Sequence, residues 1–177
     1  GMYKAAEKSG FDPEMIGKDL VDNAELVSTY YGGMKDEAIA ATIATKSMGV
    51  SLKQVGGIVD KMLNIDGFMT DMYELNAMGG PDLSQAFELG LSGDLTGMMK
   101  EVMNATGGLE KFNQEAPLVK KKLAATLGMS VDELAKSLSL ESQMKNLDKD
   151  HQEMLRSNFE VLGDINGITE KEIDDRL

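Results

Sequence analysis

Gly128-Met129-Ser130-Val131-Asp132-Glu133-Leu134 spells out a helix stop followed by a helix start. The Gly closes one helix by taking the left-handed conformation. Ser130 is then an N-cap, and Glu133 three residues on completes a capping box. Met129 before the cap and Leu134 after the box form a hydrophobic staple that sets the direction of the new helix. The order returns in Gly49-Val50-Ser51-Leu52-Lys53-Gln54-Val55 and in Gly167-Ile168-Thr169-Glu170-Lys171-Glu172-Ile173. Gly49, Ser51 and Gln54, and again Gly167, Thr169 and Glu172, thus take the parts of Gly128, Ser130 and Glu133. Gly10-Phe11-Asp12-Pro13-Glu14-Met15-Ile16 is a looser copy, with Asp12 as cap, Pro13 at the first helical position and Met15 in place of the acid.

Outward from these joints, apolar residues fall at three- and four-residue spacings: Ala38, Ile39, Thr42, Ile43 and Met48; Val55, Ile58, Val59, Met62 and Leu63; Leu118, Leu123 and Leu127. No segment alternates apolar and polar residues with β-branched enrichment, so no strand is expected. The spacing predicts helices near 13–31, 35–48, 52–64, 68–78, 83–91, 95–106, 109–114, 117–127, 131–147 and 150–162. The expected fold is all-α: a multi-helix array of short helices joined by Gly/N-cap tight turns, with no sheet. Its expected divisions are a helical subdomain at 1–80, a repeat-like helical subdomain at 81–141 and a C-terminal helical segment at 142–177. Met78-Gly79-Gly80-Pro81-Asp82 reads as the most mobile connector. Leu140, Leu147, Met154 and Val161 recur every seven residues, but His151 and Asn158 hold companion positions, so an amphipathic helix is favoured over a coiled coil.

Eighteen Lys and Arg against 30 Asp and Glu leave a net charge of −12. Such a chain repels polyanions, which argues against non-specific nucleic-acid binding. With no Cys, disulfides, thiolate nucleophiles and thiolate metal sites are excluded, and one His cannot build a multi-histidine site. The uncharged stretch Ala38 to Thr45, like every other here, is far short of the ~20 apolar residues of a membrane span, and no basic-then-apolar leader opens the chain. Five Phe, four Tyr and no Trp leave the core to smaller side chains, and the 14 Met point towards partner surfaces.

Searches for chemistry return little. Gly17-Lys18 lacks the upstream Gly and downstream Ser or Thr of a phosphate loop, since Asp12 and Asp19 stand there. Calcium-loop alignments on Gly67 or Gly167 put Met62 or Leu162 first and Tyr73 or Ile173 last, where carboxylates are required. His151 sits among Asp148, Asp150 and Glu153, which favour its protonated form, with no nucleophile in a recognisable setting. No catalytic residue, cofactor or metal is expected, and the residues singled out are helix caps. Leu123 to Leu138 has the spacing of a DNA-reading helix-turn-helix, with Lys120, Lys121 and Lys122 before it. Val131, Asp132 and Glu133 open its second helix, where a reader meets the bases, so this reading is the alternative and not the leading one.

Two stretches carry a resemblance. The first is Ala44-Thr45-Lys46-Ser47-Met48-Gly49-Val50-Ser51-Leu52 with Ile58-Val59-Asp60-Lys61-Met62-Leu63 and Asn76-Ala77-Met78-Gly79. The second is Leu91-Ser92-Gly93-Asp94-Leu95-Thr96-Gly97-Met98-Met99-Lys100-Glu101, then Leu109-Glu110-Lys111-Phe112-Asn113, then Leu123-Ala124 and Gly128 to Ala135. From Met48 to about Ser139 the chain resembles the repeat-rich helical region of phage tail tape-measure proteins. It departs from the pattern at Met78 to Leu83 and at Gly67-Phe68, and residues 1–35 and 142–177 have no place on it. The resemblance implies a structural virion protein and not an enzyme, this chain being a segment of a longer one. It implies a place in the tail-tube lumen, reached from the host cytoplasm during assembly, and a part in setting tail length and in DNA ejection. The implied partners are further copies in a homo-oligomer, the tail tube, and baseplate or tail-tip proteins. No specific nucleic-acid binding and no transmembrane segment are expected, and a helical adaptor or assembly domain is a further alternative.

Overall fold

The computed structural model describes residues 2–146. Among them the chain forms eleven helices and no strand. These are α1 (Met2–Ser9), α2 (Pro13–Asp22), α3 (Ala24–Tyr31), α4 (Lys35–Ser47), α5 (Leu52–Leu63), α6 (Ile65–Ala77), α7 (Ser84–Ser92), α8 (Leu95–Thr106), α9 (Leu109–Gln114), α10 (Pro117–Thr126) and α11 (Val131–Asn146). The fold is all-α, as the capped joints and helical spacing predict. The helix expected near 150–162, the joint at Gly167, Thr169 and Glu172, and the heptad residues beyond Met144 lie outside the described residues.

Two local expectations are corrected. Helix α1 was not anticipated; it is eight residues long and buries only Met2 and Ala6, too few positions to show a period. The single helix expected at 13–31 is two, parted at Asn23 with φ −117° and ψ 35°. The Asn23 side chain donates to the Asp19 carbonyl at 2.8 Å and to its carboxylate at 3.1 Å. A short amide that bonds nearby backbone competes with helix continuation in this way.

The chain divides into two compact units. Among the described residues, the first comprises 2–47, Ser51–Lys53 and 143–146. In it α2, α3 and α1 pack on α4, around a core of Met2, Phe11, Ile16, Leu20, Val27 and Ile39 with Leu52 and Met144 added. The second comprises Met48–Val50 and Gln54–Ser142. Helices α7 and α8 form its closest pair, α6 packs on α10, and the Phe68 and Phe87 rings stack with centroids 5.0 Å apart. The boundary expected at residue 80 falls inside this unit, because α6 before it packs on α10 after it.

The scarcity of aromatics is met in the core by methionine. Met62, Met98, Met99 and Met103 are buried in the second unit, and Gly90 lies so close to the sulfurs of Met62 and Met98 that a methyl group there would overlap the former. Flexible thioethers fill the irregular gaps left between short helices. The expectation that methionine marks partner surfaces is therefore corrected for half of the fourteen, since Met2, Met62, Met98, Met99, Met103, Met129 and Met144 are buried. Buried Thr42, Thr45, Thr106 and Thr126 donate their hydroxyls to carbonyls three or four residues back, which satisfies them inside a helix.

Candidate functional site

Among the described residues, Gly49, Ser51 and Gln54 and Gly128, Ser130 and Glu133 sit at helix ends. At the α10–α11 joint Met129 N–H donates to the Ala124 carbonyl at 2.9 Å and Gly128 N–H to that of Ala125 at 3.0 Å, a Schellman closure. Glu133 N–H donates to the Ser130 hydroxyl oxygen at 3.0 Å, and Ser130 N–H donates to the Glu133 carboxylate at 3.4 Å. Met129 and Leu134 are both buried. Removing the cap hydroxyl in Ser130→Ala leaves an orphan amide and is expected to cost about 1 kcal/mol, read as a lower urea midpoint with unchanged slope.

At the α4–α5 joint Gly49 has φ +80°, Ser51 directly precedes α5, and Gln54 lies in its first turn. Val50 and Val55 are buried. The Leu52 amide at the start of α5 is received by Asp19 of α2, at 3.3 Å. The looser copy has Asp12 accepting from Glu14 N–H at 3.0 Å, ahead of Pro13. The stretch expected to be mobile is a closed turn in which Gly80 N–H donates to the Leu75 carbonyl at 2.9 Å. Just beyond it, Asp82 accepts the Ser84 amide at 2.9 Å, and this hydrogen bond holds its carboxyl below the usual range.

The three lysines of the candidate DNA reader have separate fates. Lys122 donates to Glu74 at 2.5 Å and to Asp71 at 3.0 Å, both on α6, while Lys121 is exposed and Lys120 half-buried. Asp132 and Glu133 are exposed at the start of α11, where they would face phosphates with like charge. Leu123, Leu127, Leu134 and Leu138 are buried, so the turn's spacing is used for packing.

The bonds to Glu74 and then Asp71 raise the Lys122 ammonium above its ordinary value. A raised pKa adds stability that is complete below the unfolded-state value of ~10.4 and is lost as pH climbs through the folded value. Lys122→Met is therefore expected to lower stability by about 0.5 kcal/mol at pH 7, a figure discounted for solvent exposure. Urea titrations of the two proteins should converge as pH rises through the raised folded-state value of the Lys122 ammonium.

A concavity of about 330 Å³ opens where α5 meets α6, lined by Lys61, Asn64, Asp66, Thr70 and Asp71 over Phe68. Its one hydroxyl, on Thr70, donates to the Asp66 carbonyl at 3.0 Å. Among the described residues no group of three or more His, Cys, Asp or Glu converges to hold a metal, and no helix is long and apolar enough to cross a membrane.

The surface feature that periodicity did not reveal is on α6. Phe68 and Leu75 turn into the core, Asp71 and Glu74 turn to Lys122, and Ile65, Met69 and Tyr73 are left 46, 52 and 77% exposed. Spaced four apart, these three form one ridge along the helix. Comparison with protein-family models, curated proteins and solved structures finds no match for this chain.

Proposed function

We propose that this chain is a structural, tape-measure-like segment of a phage tail protein, acting by packing and self-association inside the tail tube and without catalysis. The supporting observation is the pairing of short, separately capped helices with an apolar ridge left in water on α6. Large side chains exposed in a row mark a surface meant for another protein. The resemblance over residues 48–139 supplies the tail assignment. In that role the mechanism is geometric: residue count sets length, and the joints define units that can stack. The charge of −12 keeps the segment from adhering to the passing genome.

The test is an in-frame deletion of Ser84–Thr106 in a phage encoding this chain, with tail lengths measured by electron microscopy. At ~1.5 Å per helical residue the tail should shorten by roughly 35 Å per extended copy. Tails of unchanged length containing the shortened protein would remove the measuring role. Absence of the chain from purified tails would remove the tail assignment and leave the adaptor reading.

A further inference from the structure

We draw no further inference here: the strongest candidate, the exposed apolar ridge of Ile65, Met69 and Tyr73 along α6 in the second unit, carries nothing because no observation in the structure shows what covers it.

Discussion

Asp19→Asn is expected to destabilise the first unit by about 3–4 kcal/mol, a large fraction of the ~5–15 kcal/mol that holds a typical domain folded. Asp19 gathers donors on both carboxylate oxygens. Lys46 Nζ lies 3.2 Å from Oδ2, the Leu52 amide 3.3 Å from the same atom, and Asn23 Nδ2 3.1 Å from Oδ1. The two charged side chains are only 12 and 10% exposed. An Asn at this position has one acceptor atom and one NH₂ donor. If the NH₂ faces Lys46 and Leu52 it meets two donors. If it faces Asn23 it meets another, which is fixed by its 2.8 Å bond to the Asp19 carbonyl. Either orientation leaves the Lys46 ammonium, only 10% exposed, without its counter-charge, and breaking a pair so largely withdrawn from water is costly.

Chemical denaturation followed by circular dichroism should show this loss. Asp19→Asn combined with Lys46→Met should recover more than half of it, because the stranded charge is then gone. Additive losses in the double variant would mean that the ion pair contributes little and that Asp19 acts mainly through the Leu52 amide. Slower amide exchange at Leu52 in the wild type than in Asp19→Asn would report that second bond separately.

The helices were legible because their boundaries are set by neighbours in sequence. Ser130 and Glu133 bond each other three residues apart, and Pro13 and Asp12 act within one turn. Signals of that range survive in a single chain read alone. Asp19 does not announce itself in this way, since the amide it receives is 33 residues distant and only the folded first unit brings the two together. The ridge on α6 was hidden for a different reason. Ile65, Phe68, Met69, Met72 and Leu75 all have helical spacing, and spacing alone cannot tell which arc finds a partner. Packing makes that selection, seating Phe68 on Phe87 and leaving Met69 outside. Methionine was misread on the same account, because its softness suits a crowded interior of short helices as well as an exchangeable surface.

Gly49 and Gly128, alike in sequence, are expected to respond very differently to substitution. Both have positive φ, +80° and +72°, so an Ala at either incurs the left-handed penalty of about 1–2 kcal/mol. At Gly128 the added methyl would lie 3.2 Å from Lys61 Cγ, part of an exposed, flexible side chain that can move aside. Gly128→Ala should therefore cost about 1–2 kcal/mol and no more. At Gly49 the methyl would overlap the Ser137 carbonyl oxygen and lie 3.0 Å from Leu140 Cβ. Those atoms belong to α11, whose backbone cannot yield without disturbing the buried Leu134 and Leu138 beside them. Gly49→Ala should accordingly cost 3 kcal/mol or more, roughly the strain of the left-handed conformation plus that of an overpacked core. Urea unfolding of the two variants side by side decides the matter. Equal losses would mean that Gly49 acts only as a helix stop, as its sequence pattern says, whereas a loss at Gly49 larger by 1 kcal/mol or more marks it as the point where the α4–α5 joint presses against α11.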